Sequence, residues 1–262
     1  MGMKTIYSTD NKIYKLCKEL TTKKYRDRLG KYLIEGENLV EEAEKSGVSM
    51  EYLIFREDYE GAALSKASSA REAARMSRAL FSEIAQTETS QGVLAVAAAP
   101  ALPPEAFYAA CGEKNIVVLD RLQDPGNIGT IIRTAEAAGY GGIVTIKGTG
   151  DVYSPKTVRA AAGSVFRMPV LQAAEAEDAA RRIKESGRHL VATAMNGAAL
   201  YSETDLCEKT ALIIGNEGNG ISEEMFALAD LKVRLPMRGA VESLNAAVAA
   251  AILMYENVRK ES

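Results

Sequence analysis

Thr210-Ala-Leu-Ile-Ile-Gly-Asn-Glu-Gly-Asn-Gly-Ile-Ser222 sets a short apolar run against a loop in which Gly215, Gly218 and Gly220 recur every two or three residues. Thr210–Ile214 has the length and unbroken hydrophobicity of a strand. The loop after it is too rich in glycine to be a mere connection, and it presents Glu217 at its centre. Open α/β sheets bind their ligands in such loops, outside the carboxyl ends of the strands. One loop of this kind is also a common structural turn, so its neighbours on both sides decide the reading.

Working outward, strand and helix patterns alternate. Upstream lie a buried-type strand at Asn115–Asp120, a helix at Ile128–Ala138 and a strand at Gly142–Lys147. A helix at Ala173–Ser186 and a strand at His189–Ala194 lead up to the loop. Downstream come a short helix at Glu223–Ala229, a strand at Lys232–Leu235 and a long helix at Leu244–Arg259. This alternation predicts an α/β domain, a mostly parallel sheet with helices on both faces, over residues 114–262. Pro100, Pro103 and Pro104 follow the strand-like run beginning at Gly92, and a proline cluster there marks a linker over 100–113. Residues 1–99 then form a smaller domain. Ile13, Leu16, Cys17 and Leu20 lie on one face of a helix at Asn11–Leu20. A helix at Asn38–Lys45 and a strand at Tyr52–Arg56 follow, and Ser65–Ala85 reads as helical, in one or two pieces, with Arg71, Arg75 and Arg78 on one face.

Two further segments interrupt strand ends with glycine and polar residues. In Asp124-Pro-Gly-Asn-Ile-Gly-Thr-Ile-Ile-Arg133, Pro125-Gly126 reads as a tight turn and Gly129 as a point of close backbone approach. Arg133 lies one turn further along the helix, where a guanidinium could grip phosphate or carboxylate. In Leu235-Pro-Met-Arg-Gly-Ala-Val-Glu-Ser-Leu-Asn245, Ser243 is placed to cap the final helix and Asn245 to sit in its first turn. The first segment lacks G-x-G-x-x-G and no acid closes a second strand some twenty residues on, which argues against a dinucleotide site.

The chain has 262 residues, 47% hydrophobic and 26% charged, which is the balance of a globular protein able to bury its own core. Cys17, Cys111 and Cys207 make neither a CxxC pair nor a metal-ligand spacing, so a reducing, cytoplasmic setting without metal is expected. The longest apolar run, Ala246–Tyr255, is too short to span a bilayer, and no apolar leader is recognisable at the N-terminus. The net charge of −3 by itself disfavours a nucleic-acid partner, but residues 1–31 hold nine lysines and arginines against three acids. A local basic cluster on an acidic protein is how a phosphate-binding surface hides in the totals. His189, the only histidine, precedes a strand and reads as a surface or core residue rather than a catalytic base.

In order and spacing the three glycine and polar segments resemble the signature motifs of the SpoU family of the SPOUT methyltransferase superfamily. The likeness extends to Asp151-Val-Tyr-Ser-Pro-Lys-Thr-Val-Arg-Ala-Ala-Ala-Gly-Ser164 between the first two motifs. Asn11-Lys-Ile-Tyr-Lys-Leu16, Tyr32-Leu-Ile-Glu-Gly-Glu-Asn-Leu-Val40 and Ser90-Gln-Gly-Val-Leu-Ala-Val96 resemble the family's small substrate-binding domain.

The resemblance implies an S-adenosylmethionine-dependent enzyme that methylates ribose 2′-hydroxyls in RNA, ribosomal RNA ahead of transfer RNA. It implies a deep trefoil knot in the C-terminal domain, an L30e-like N-terminal domain and a homodimer packed through the last helix. Carried over residue by residue, Asn127, Arg133, Glu217, Ser243 and Asn245 match catalytic positions. Gly215, Leu235 and Leu244 match cofactor contacts, with Thr193 a further candidate. Lys23, Lys24, Arg26 and Arg28 are the expected phosphate contacts. The expected division of labour has Arg133 gripping phosphate, Glu217 and Asn127 orienting it, and Ser243 and Asn245 holding the ribose. A non-catalytic RNA-binding assembly factor with the same fold is the alternative from another class, and the intact motif positions argue against it.

Overall fold

The computed structural model describes residues 3–172, 175–194, 199–204, 206 and 209–261. Cys207, and Ala173 and Ala174 of the expected helix Ala173–Ser186, lie outside them. The chain forms two compact units, Met1–Ala101 with Asp151–Phe166, and Leu102–Gly150 with Arg167–Ser262.

The first unit runs β1 (Thr5–Ile6), α1 (Lys12–Leu20), α2 (Lys23–Leu29), β2 (Lys31–Glu35), α3 (Glu37–Lys45), β3 (Met50–Arg56), β4 (Ala70–Met76), α4 (Arg78–Ile84) and β5 (Val93–Ala98). Its sheet has the order β1-β4-β3-β5-β2. β4 is parallel to β1 and β3, and β5 is antiparallel to β3 and β2. The Asn11 side chain accepts from the Ile13 N–H and starts α1, which buries Ile13, Tyr14, Cys17 and Leu20 as its periodicity demands. The expected helix over Ser65–Ala85 is corrected. Ala62–Ser69 is a 3-10 turn, Ala70–Met76 is a strand paired on both sides, and only Arg78–Ile84 is helical. Alanine favours helix weakly, and two strand partners outweigh that preference.

Asp151–Phe166 packs with this first unit although it lies between segments of the second. Pro155–Ala160 is a helix, the Tyr153 ring meets Tyr32 of β2 at 4.9 Å, and Arg26 of α2 donates to Asp151 at 2.7 Å. The chain therefore leaves the second unit at Gly150 and returns at Arg167. A domain division by a single linker at 100–113 does not describe this arrangement.

The second unit opens with α5 (Pro104–Cys111), which lies inside the stretch expected to be linker. Phe107 and Cys111 of α5 are buried in that unit's core, and a fully buried aromatic of this size contributes roughly 1.5–3 kcal/mol. Then follow β6 (Ile116–Asp120), α6 (Pro125–Ala137) and β7 (Gly142–Thr145). After Pro155–Ala160, counted as α7, come β8 (Val170–Gln172), α8 (Ala176–Glu185), β9 (His189–Thr193) and β10 (Ala199–Leu200). β11 (Thr210–Gly215), α9 (Glu223–Leu228), β12 (Leu231–Arg234) and α10 (Ala246–Glu261) complete it. The sheet order is β10-β12-β9-β11-β6-β7-β8 and every pairing is parallel. β11, whose sequence is buried along nearly its whole length, lies at the centre, as the unbroken apolar run requires.

Candidate active site

The glycine-rich loop leaves the central strand β11 at Gly215. A Cβ on Gly215 would stand 2.2 Å from the Gly220 carbonyl carbon, so no other residue permits the chain to fold back there. Asn216 and Gly220 exchange backbone hydrogen bonds of 2.8 and 2.9 Å, closing a tight loop around Glu217, Gly218 and Asn219. The Asn216 side chain accepts from the N–H groups of Gly218 and Asn219 and donates to the Arg121 carbonyl at 2.9 Å. At the far end of the loop the fully buried Asp120 accepts from the Ser222 N–H at 2.6 Å. Both ends of the loop are thus tied to the end of β6.

Glu217 is consequently held against the first motif. Its carboxylate accepts from the N–H of Gln123 at 3.1 Å, the N–H of Asp124 at 2.9 Å and the Asn127 side-chain amide at 3.1 Å. Partial burial on its own would raise the Glu217 pKa. The donors from Asn127, Asp124 and Gln123 outweigh it and hold the carboxyl below its ordinary value.

Asn127 is buried in the first turn of α6 and takes part in both of the network's side-chain links. Its Nδ2 donates to Glu217 and its Oδ1 accepts from Asn245 Nδ2 at 2.9 Å. A chain Glu217–Asn127–Asn245 therefore joins all three motifs. Pro125-Gly126, expected as a tight turn, is instead the opening of α6. Asp124 accepts from the Asn127 N–H as the cap, and Pro125 takes the position where a missing N–H costs nothing.

The start of α10 also differs from expectation. Asn245, not Ser243, caps the helix, since its Oδ1 accepts from the N–H groups of Ala247 at 2.9 Å and Val248 at 3.3 Å. Ser243 stands exposed, two residues ahead of the cap. Arg133 is exposed on α6 and, among the described residues, takes neither an acid nor a hydrogen-bond partner. The network of Glu217 and Asn127 holds Asn245 where it was expected to hold Arg133. The reason is reach: Arg133 points to solvent a turn and a half beyond Asn127 on α6.

Three of the four residues expected to hold a cofactor lie at neighbouring strand ends. Thr193 ends β9, Gly215 ends β11 and Leu235 follows β12, and these three strands are neighbours in the sheet. All three residues are half-buried, while Leu244 is exposed on the approach to α10.

In the first unit the expected phosphate contacts divide. Lys23 and Lys24 are exposed, Arg28 lies 4.3 Å over the Tyr25 ring, and Arg26 is 7% exposed. Arg26 is thereby removed from the set. It donates to Asp151 and, at 2.7 Å, to the Leu20 carbonyl, and a phosphate could reach it only by breaking that pair.

Burial pushes the Cys17 thiol up to about 12 and Cys111 up to about 11, so neither supplies a thiolate near neutral pH. His189 is exposed at the start of β9, away from the strand ends that carry the network. Among the described residues no group of three His, Cys, Asp or Glu could hold a metal ion, and no helix is long and apolar enough to cross a membrane.

Sequence reasoning overlooked Asn216, Gln123 and Asp124. An Asn opening a glycine-rich loop and an Asp before Pro were the available signals, since both residue types bond backbone N–H groups two or three positions on.

Strand-end loops of a parallel α/β sheet thus bring together an ionised carboxylate and two linked amides, the arrangement of a ligand-binding α/β domain. The SpoU rRNA Methylase family model matches residues 114–255, and the MRM3-like substrate binding domain matches residues 11–95. The chain belongs to the SpoU rRNA methylase family. It is 40% identical to the 23S rRNA (guanosine(2553)-2′-O)-methyltransferase RlmP of Bacillus subtilis, over 97% of this chain and 98% of that one. An AdoMet-bound rRNA methyltransferase from Sinorhizobium meliloti superposes with a TM-score of 0.87 at 32% identity, covering 98% of both chains. The SpoU methyltransferase AviRb of Streptomyces viridochromogenes, in complex with AdoMet, superposes at 0.85 with 30% identity, covering 96% of this chain and 98% of that one.

Proposed function

We propose that this protein transfers a methyl group from S-adenosylmethionine to a ribose 2′-hydroxyl of 23S ribosomal RNA, with transfer RNA the less favoured substrate. The observation that carries the reading is the hydrogen-bonded chain Glu217–Asn127–Asn245, which links the three motifs into one constellation. The nearly full-length likeness to a 23S rRNA 2′-O-methyltransferase supports the choice of RNA.

Half-buried Thr193, Gly215 and Leu235 along three adjacent strand ends suit a ligand held by backbone groups and apolar side chains, with exposed Leu244 as a further apolar contact. S-adenosylmethionine fits that set and supplies an electrophilic methyl on a positively charged sulfur. The threading of 235–245 that would enclose such a ligand is the trefoil knot of this family's fold, and it forms part of the reading.

Arg133 grips the phosphate beside the target ribose and stabilises the negative charge developing on the 2′-oxygen. A guanidinium stays protonated and is no base, so the hydroxyl proton passes to solvent water rather than to Arg133. Asn245, fixed by Asn127, and Ser243 hold the ribose, so positioning supplies much of the rate. The first unit, in the L30e-like manner, binds RNA through Lys23, Lys24 and Arg28. The enzyme acts in the cytoplasm as a homodimer packed through α10, whose Val248, Ile252 and Tyr255 are exposed along one side.

Labelled methyl transfer to unmodified 23S rRNA and to transfer RNA, followed by alkaline hydrolysis, tests this. A 2′-O-methyl blocks attack on the next phosphodiester, so label is expected in alkali-resistant dinucleotides from 23S rRNA. Label in mononucleotides would mean base methylation and overturn the ribose assignment.

A further inference from the structure

The basic excess of residues 1–31 is largely neutralised within the first unit. Lys12, Lys15, Lys18 and Lys31 pair with Glu72, Asp10, Glu83 and Glu51. Arg26 pairs with Asp151, and Arg28 lies 3.6 Å from Glu19. Among the described residues of this unit, the cations whose side chains take neither an acid nor a hydrogen-bond partner are Lys4, Lys23, Lys24, Arg71 and Lys156. Three of these five flank one feature, the buried pair between Arg26 of α2 and Asp151 at the head of α7.

Lys23 and Lys24 open α2, one turn before Arg26. Lys156 is exposed in the first turn of α7, and the next residue, Thr157, donates its hydroxyl to the Asp151 carbonyl at 2.9 Å. The Arg26–Asp151 pair, with side chains 7% and 10% exposed, fixes these two segments against each other. The pair also removes the Asp151 charge from the local field, which leaves Asp27 as the one acid on α2.

Exposed lysines without acid partners, on two segments that a buried ion pair joins in an otherwise acidic protein, suit a polyanion, whose bound counterions they displace. Resting on the RNA-methylating reading above, we infer that Lys156 is an RNA phosphate contact. The substrate-binding surface is then built from two stretches far apart in sequence, α2 and the 151–166 segment, the second of which falls within the residues matched by the methylase family model.

The test is the salt dependence of binding between the full chain and an unmodified 23S rRNA transcript, with S-adenosylmethionine affinity as a check on folding. Lys156→Gln is expected to weaken RNA binding several-fold at low salt and to flatten the slope of log K against log salt by about 0.7–0.9, one counterion's worth. Lys156→Arg is expected to restore both, and Lys66→Gln, at a lysine already paired with Glu44, to leave the slope unchanged. An unchanged slope for Lys156→Gln would overturn the inference, and so would an equal flattening by Lys66→Gln. A wild-type chain that transfers no methyl to RNA would instead remove the reading on which the inference rests. Active enzyme with an unaltered Lys156→Gln slope would remove the inference alone.

Discussion

At the scale of single residues, Glu217 is held by three donors at once, and this fixes its charge state. Its folded pKa lies below its unfolded value, so the stability it contributes is complete above the unfolded value of about 4.3 and is lost as pH falls through the folded one. Between about pH 6 and 9 it stays ionised, and an acidic limb of the rate profile in that window belongs to another group. Glu217→Gln is therefore expected to lower kcat while leaving the limbs of the pH–rate profile in place. A limb that disappears in the variant would make Glu217 the titrating group. Arg133 has no partner among the described residues to hold it, which suits a group whose partner is the substrate. Removing a donor that stabilises developing charge costs roughly 10²–10³ in kcat, the loss expected for Arg133→Ala. Arg133→Lys should retain more RNA affinity than Arg133→Ala, and equal loss of binding in both would count against phosphate gripping.

At the scale of elements, Asn245 serves two structures at once. It caps α10 through Ala247 and Val248, and it reaches across to Asn127 on α6. Asn245→Ala should cost about 1 kcal/mol from the lost cap, read from urea unfolding, together with lost activity. Ser243→Ala, which removes no cap, should leave stability unchanged while activity falls. Equal destabilisation by the two would contradict the capping assignment. The join between α2 and the 151–166 segment rests on a buried pair with one further bond from Arg26 to the Leu20 carbonyl. Truncating one partner leaves the other charged and buried, so Arg26→Ala or Asp151→Ala should each destabilise by about 3–5 kcal/mol. A change within a few tenths would show that water reaches the pair.

At the scale of the whole molecule, α10 divides its apolar surface. Ala247, Ala250, Leu253 and Met254 are buried, whereas Val248, Ile252 and Tyr255 lie 48%, 37% and 48% exposed. Exposed apolar stripes of this kind mark association surfaces. If the stripe is the homodimer contact, the wild-type chain should sediment as a dimer and Ile252→Glu as a monomer. A wild-type monomer would leave the stripe without that role. Three motifs spread from Asp124 to Asn245 meet because strand order departs from chain order. β6 lies beside β11, so the loops that follow them face one another. The same topology shows why the linkage between these loops was not legible in advance. Glycines and amides at strand ends are local signals, but which donor meets which acceptor depends on the pairing of distant strands.

Hydrophobic period and turn chemistry act over a few neighbours, so the alternation of strand and helix, the strand at Thr210–Ile214 and the glycine-rich loop after it could be read from the sequence alone. The resemblance of its motifs supplied the family. Only the tertiary structure decided that Ala70–Met76 is a strand, that Asp151–Phe166 packs with the N-terminal unit and that Arg26 is an internal anchor. Each of these outcomes is settled by contacts with residues remote in the chain. Two strand partners outweigh the local preference that a sequence displays, while an aromatic or ion pair between distant segments leaves no local signal.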